Sequence, residues 1–534
     1  LGLIQSIKNL LWKGGAQLGI IKSLTQLTDD DRIQTTEEEI ARIKLAKRYY
    51  AGNYLFKMGL PINTVRYFNQ QGNERSRTFE TINVTEMVAK RIASICLNSG
   101  FDVSVSLAND AGSDDDSNSS QSTQLNDFVN AWLDSSGIRL NLEEKLQQAI
   151  APGGMAARPY VQNNQIKNAW IRADQFFSLD SNTEEVTQAA IASRRVKVTD
   201  EVLYYYTLLE FHQWLPDGTY QITNELYKSN NMQAVGEQVP LGTDDVCSDI
   251  APQVNITDFK RPLFAYFKCP GDNNIDPESP LGIGFVNNCQ SVLDAINYVH
   301  DSFIWETRMG RIKVLTPPEM IKQADEYHQT ANFDPDQDVY TPVSALNSDS
   351  NNPIVQINPD IRVQEYQQTM EFFLHELENK VGLSTGTFST DAQGGITTAT
   401  QVVSENSMTY QTRSSYLNKI TKFLTDLIKS MLQLAQESQL FDDGKAPLSD
   451  IDIDQVVVSV HYDDGVFVDK DKQATQDLLV MEQKAMPMTV FLQRNYGLSE
   501  DDAKKWVAEA QQEAPEQPMN ETQQEGDLLN GGDE

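Results

Sequence analysis

VGLSTGTFSTDAQGGITTATQVVSENSMTYQT, residues 381–412, decides how the chain is read. Serine, threonine, glycine and aspartate crowd the part from Ser384 to Thr398, and Gly394-Gly395 permits backbone angles closed to residues with a β-carbon. Beyond it the period changes. Tyr416, Leu417, Ile420, Phe423, Leu424, Leu427, Met431 and Leu434 recur at three- and four-residue steps and make one helical stripe. From Thr398 to Glu437 the pattern spans roughly 40 residues, or about 60 Å, against a usual helix of ~11–12 residues. A polar loop carried on so long a strut fits a large assembly in which the loop reaches something.

Upstream, two further helical stripes come into view. One covers residues 285–309, with Val292, Leu293, Ile296, Val299, Phe303 and Ile304 on one face. The other covers 363–381, with Met370, Phe373, Leu374 and Leu377. Between them, RIKVLT and PIVQI read as short strands around an Asp/Pro-rich insert. Residues 264–284 form a Pro/Gly-rich connector. Residues 157–254 alternate β patterns with turns, and Asp217-Gly218 signals a hairpin. Further back, residues 1–60 read as helical, with a cap signal at Thr35-Thr36 followed by Glu37, Glu38 and Glu39. A helix is expected over 84–97, a strand over 101–105, a mobile loop over 110–123 and a helical pair over 124–150. Downstream, a strand over 456–460 precedes helices near 472–484, 487–496 and 499–512, the last with a Ser499/Asp502 capping box. The Glu- and Gln-rich residues 514–534 have almost nothing to bury and read as disordered. The fold class is α+β.

The chain has 534 residues, a net charge of −33 and 40% hydrophobic residues, enough for several cores. So large an acid excess opposes a conventional nucleic-acid binder, which needs a basic footprint, but would let a polyanion pass without sticking. Simple solubility accounts for the charge as well. Cys96, Cys247, Cys269 and Cys289 form no CxxC pair, so a reduced, intracellular chain is expected, with no secretory signal or membrane span. The start carries Leu3, Ile4, Ile7, Leu10 and Leu11 on one helical face, which suits docking on a partner or on the chain's own body.

No catalytic constellation emerges. His375-Glu376 has the first half of an HExxH metal motif, but Asn379 stands where the second histidine belongs, so a satisfied polar histidine is expected. Gly444-Lys445 lacks the rest of a phosphate loop, and Gly282-Ile283-Gly284 lacks the rest of a dinucleotide fingerprint. Asp463, Asp464, Asp469 and Asp471 do not follow the EF-hand order and read as a solvated turn. No metal and no cofactor are expected.

Three phrases carry a resemblance: RPLFAYFKCPGDNNIDPESPLGIG (261–284), the opening stretch, and VFVDKDKQ (466–473) followed by PMTVFLQRNYGLSEDDAKKWVAEAQQE (487–513). From about residue 40 to 513 the chain resembles the portal proteins of tailed bacteriophages, most closely those of long-tailed phages of Gram-positive bacteria. The resemblance implies a portal-type fold. Residues 1–284 and 398–467 correspond to the wing, 285–309 and 363–383 to stem helices, 310–362 to the clip, 384–397 to the tunnel loop and 468–513 to the crown. It implies a virion protein, assembled in the host cytoplasm into a ring of twelve at one capsid vertex. Its partners would be the terminase large subunit, a head-completion adaptor, and the scaffolding and major capsid proteins. Double-stranded DNA would pass through without sequence recognition, and ATP hydrolysis would belong to the motor protein. No membrane is involved.

On that reading, Thr387, Ser389, Thr390, Asp391, Gln393, Gly394, Gly395, Thr397 and Thr398 line the DNA channel. The loop has no Lys or Arg, so its contacts to phosphate come from hydroxyls, amides and backbone N–H groups. Arg308, Arg311 and Lys313 at the stem–clip junction face DNA or pair with acids of a neighbouring subunit. A metal-dependent phage nuclease using the aspartate cluster, or a monomeric scaffolding or adaptor protein, is the alternative, and particle mass separates these readings.

Overall fold

The computed structural model describes residues 23–55, 61–68, 73–108, 116–182, 184–199, 201–310, 313–316, 340–342, 355–357, 360–389, 407–441, 444–448, 451–462, 477–481, 487–496 and 503–508. Of residues 116–120, 313–316, 340–342 and 355–357, and of Arg494, the backbone alone is described. The amphipathic start, the aspartates 463–471, the Ser499/Asp502 capping box and the tail 514–534 lie outside these residues.

The main sheet is antiparallel and holds seven strands. They are β1 (Ser23–Leu24), β7 (Phe176–Ser181), β8 (Val186–Thr199), β9 (Val202–Trp214), β10 (Tyr220–Ser229), β11 (Gly236–Val239) and β12 (Gln253–Ile256). Their order is β1-β11-β10-β9-β8-β7, with β12 beside β10. Both faces are covered where β8 and β9 run through the middle. Ala190, Ala192, Leu209 and Phe211 face one cluster, and Ala189 and Ile191 face another with Phe176 and Phe264. A strand buried on both faces loses its two-residue alternation, as β9 does from Tyr206 to His212.

A second sheet, β13-β5-β6, joins β5 (Gly154–Gln162), β6 (Gln165–Arg172) and β13 (Ala265–Lys268). The connector of 264–284 therefore contains a strand. Gly282 and Gly284 meet another backbone: a β-carbon at Gly284 would lie 1.8 Å from the Ala151 carbonyl oxygen. The chain can cross there only because no side chain stands in the way.

Around this sheet packs the largest core. It is built from α2 (Val84–Leu97), α4 (Ile138–Ile150), α5 (Phe285–Met309), α6 (Val363–Val381) and α7 (Ser407–Ala435). Helix α7 was read as a strut and is the centre of that core. Phe423, Leu424, Leu427, Ile428 and Met431 are almost fully buried, and Phe423 lies 6.2 Å from the rings of both Trp170 and Phe267. Its described length is 29 residues. The expected start at Thr398 lies outside the described residues.

The expected helical span of 1–60 is corrected. Leu24 belongs to a strand on β11, and the helix α1 is confined to Glu37–Tyr50. The Thr36 hydroxyl caps α1 by accepting the Glu39 N–H at 3.2 Å, as the sequence signalled. The loop expected over 110–123 is corrected from Asp116 onward, where α3 (Asp116–Ser135) begins. Among the described residues, strand β4 (Phe101–Leu107) pairs with one strand, β17 (Val456–Tyr462), along one edge. Helix α3 serves the other edge with polar side chains. Ser122 accepts from the Leu107 N–H at 3.2 Å, Asn126 accepts from the Val105 N–H at 3.0 Å, and Asn130 donates to the Val103 carbonyl at 3.3 Å.

Helices α5 and α6 have the expected bounds. Three short strands between them, β14 (Lys313–Thr316), β15 (Tyr340–Pro342) and β16 (Val355–Ile357), form one small sheet. A two-stranded ribbon, β2 (Thr64–Phe68) and β3 (Glu74–Thr78), is tied to α5 by Arg77, which forks onto Asp301 at 2.6 and 2.7 Å. Residues 1–462 form one compact unit and 463–534 a second. In the second, residues 477–481 and 503–508 and α8 (Met488–Tyr496) are helical, and Phe491, Leu492 and Ala503 are buried together.

Candidate functional site

The stretch that opened the reading lies where α6 hands over to α7. Helix α6 ends at Gly382, whose φ of +72° only glycine adopts readily. The Gly382 N–H reaches the Asn379 carbonyl at 3.3 Å and the Leu383 N–H reaches the Glu378 carbonyl at 2.9 Å, the two bonds of a Schellman motif. A β-carbon at Gly382 would lie 2.4 Å from the Thr412 hydroxyl, which donates to the Gly382 carbonyl at 2.6 Å.

The next residues are held to the first turns of α7. The Ser384 N–H donates to the Thr409 hydroxyl at 2.8 Å, the Thr409 N–H donates to the Ser384 hydroxyl at 3.3 Å, and the two oxygens lie 3.0 Å apart. Thr387 turns inward, and its hydroxyl donates to the Ser384 carbonyl at 2.6 Å. The segment then meets the Glu378 carboxylate, which is fully buried. One oxygen accepts the N–H groups of Phe388 at 2.6 Å and Ser389 at 3.1 Å, and the other accepts the Ser389 hydroxyl at 3.0 Å. His375 Nδ1 lies 3.2 Å from that hydroxyl and 3.3 Å from the carboxylate.

A serine, a histidine and a carboxylate in contact invite comparison with a hydrolytic triad. The geometry refuses it. A triad passes its proton across the ring, from one nitrogen to the other, whereas here Nδ1 faces both partners, and Ser389 is buried. His375 is the satisfied polar residue the sequence indicated. Glu378, Ser384, Thr409 and Thr412 carry the joint and were missed. A glutamate among Leu377 and Val381 was the available signal.

Of the expected channel residues, Thr387 and Ser389 are spent on this joint. Thr390, Asp391, Gln393, Gly394, Gly395, Thr397 and Thr398 lie outside the described residues, as does Arg311, and of Lys313 only the backbone is described. Arg308 meets Glu80 of its own chain at 2.9 Å and is half exposed, an intramolecular partner that neither expectation included.

Helices α5 and α6 lie side by side. Arg362 donates to Glu306 from its backbone N–H at 3.2 Å and from its guanidinium at 3.1 and 2.6 Å, and the Tyr366 hydroxyl adds a bond at 2.8 Å. These donors bring the Glu306 carboxyl down to about 2. Phe303 and Tyr366 pack across the pair with tilted rings whose centroids are 5.4 Å apart. Some apolar side chains of the pair are exposed. Tyr298 is 62% exposed, Phe372 64% and Val363 51%.

A profile of the family described as phage portal protein, SPP1 Gp6-like, matches residues 29–516. The chain belongs to that family. Comparison with individually curated proteins returns no match. Phage portal proteins are structural components of the capsid vertex, built as rings, rather than enzymes. Among the described residues of this portal chain, no three His, Cys, Asp or Glu side chains gather as a metal site, and no helix is long and apolar enough to cross a membrane.

Proposed function

We propose that twelve copies of this chain close into a ring whose channel carries double-stranded DNA into the capsid during packaging and out of it during infection. The family match over residues 29–516 carries this reading. The exposed Tyr298, Val363 and Phe372 support it, because a neighbouring copy packed on the two helices would cover them. In this layout residues 1–284 and 398–467 are the wing, 285–309 and 363–383 the stem, 310–362 the clip, 384–397 the tunnel loop and 468–513 the crown. The clip side takes the terminase large subunit and later a head-completion adaptor. Scaffolding and major capsid proteins meet the ring during assembly in the host cytoplasm. Sequence-independent passage suits a loop without cationic side chains. Native mass spectrometry of the purified chain tests the proposal. A closed oligomer near twelve subunits is expected, and a monomer at every concentration would overturn it.

A further inference from the structure

We propose that Glu378 is a positioning residue that fixes the direction in which the chain leaves α6 toward the loop, and that DNA transit depends on it. The inference rests on reading residues 384–397 as the channel loop. Its physical basis is the cost of the carboxylate. Glu378 is fully buried, and a buried charge is tolerated only when donors surround it. The loop's own root supplies the N–H groups of Phe388 and Ser389 and the Ser389 hydroxyl, and His375 of α6 stands 3.3 Å away. If the root moves away, the carboxylate loses three hydrogen bonds and keeps only His375, so the root and the carboxylate hold or release together.

Two further observations separate this from ordinary helix capping. The end of α6 is already capped by Gly382 and Leu383 through backbone bonds, so the carboxylate is not needed there. Glu378 also lies in the last turn of α6, where the helix dipole disfavours negative charge. It reaches past the cap to residues ten and eleven positions further along. Ser384 and Thr409 pin the start of the same segment to α7, so the root is fixed at both ends. The direction at Ser389 is therefore set by Glu378 with His375 beside it, while the Gly386 N–H donates to the Ser389 hydroxyl at 3.1 Å from within the turn.

The test uses full-length rings carrying Glu378→Ala or Glu378→Gln. Glutamine keeps an oxygen that accepts both N–H groups and offers its amide to the Ser389 hydroxyl, so it should behave within about twofold of the wild type. Alanine should raise hydrogen exchange at the Phe388 and Ser389 amides roughly tenfold or more while ring mass stays unchanged. The DNA packaged by procapsids with purified motor should fall several-fold with alanine and recover with glutamine. Unchanged exchange in the alanine ring overturns the latch itself, whatever the protein does. Faster exchange with wild-type packaging overturns its role in transit while leaving the latch in place. If Glu378→Ala yields no rings, Glu378→Asp, which withdraws the charge by one methylene, carries the same two measurements.

Discussion

At the residue scale, the clearest energetics lie in a buried chain of polar groups in the main sheet. The Leu263 N–H donates to the Tyr220 oxygen at 2.8 Å, Tyr220 lies 2.9 Å from His212 Nδ1, and His212 Nε2 lies 3.0 Å from Glu210. Because Tyr220 already accepts from Leu263, its own proton goes to Nδ1, and the imidazole turns its proton on Nε2 toward Glu210. Arg158 closes the chain on the other Glu210 oxygen at 2.7 Å. Burial works against the ionised Glu210, but Arg158 and His212 outweigh it and bring its carboxyl down to about 2. Replacing Arg158 by leucine should cost on the order of 3 kcal/mol at neutral pH, read from denaturant midpoints, because it strands the carboxylate. The sign with pH follows from the lowered value. The native network stabilises fully above the unfolded carboxyl value of ~4.3 and loses that contribution as pH falls toward about 2. The gap between variant and wild type should therefore shrink over that window. Sequence revealed Thr36 as a cap, because its partner Glu39 is three residues away. It did not reveal Glu378 or His212, whose partners are set by how distant strands and turns return.

At the element scale, legibility followed the environment. Helices α2, α5 and α6 bury one stripe each and were readable to the residue. Helix α3 was missed over residues 116–123, which hold no apolar side chain, although further along it buries Leu125, Val129, Trp132 and Leu133. Ser122, Asn126 and Asn130 stand four residues apart and satisfy alternate positions of the β4 edge, doing for that strand what another strand would do. A pattern search that rewards apolar periodicity passes over such a stripe. Replacing Asn126 by leucine raises helix propensity and adds apolar surface, yet leaves the Val105 N–H without its acceptor. Urea denaturation should show a loss of about 1–3 kcal/mol, where a propensity argument predicts a gain. The loop's joint was legible in part. The crowd of hydroxyls announced a turn, but Ser384 and Thr409 look like ordinary polar residues until α7 brings them together.

At the scale of the whole molecule, a net charge of −33 per chain sets copies against one another as a ring closes. Screening should help. The fraction of chain in rings, measured by sedimentation, should rise as salt goes from about 0.05 M to about 0.5 M, because the screening length falls well below the spacing of surface charges. If apolar contact were the whole of the interface, the rise would be slight. The antiparallel pairing of β4 with β17 joins segments roughly 350 residues apart. At ~5–20 residues per second on the ribosome, β4 exists for some tens of seconds before its partner is made. Through that interval one edge of β4 can be covered by α3, and the other waits. The body of this protein is thus closed by one of its last strands, and a chain cut short before Val456 would leave that edge unpaired for any other strand in the cell.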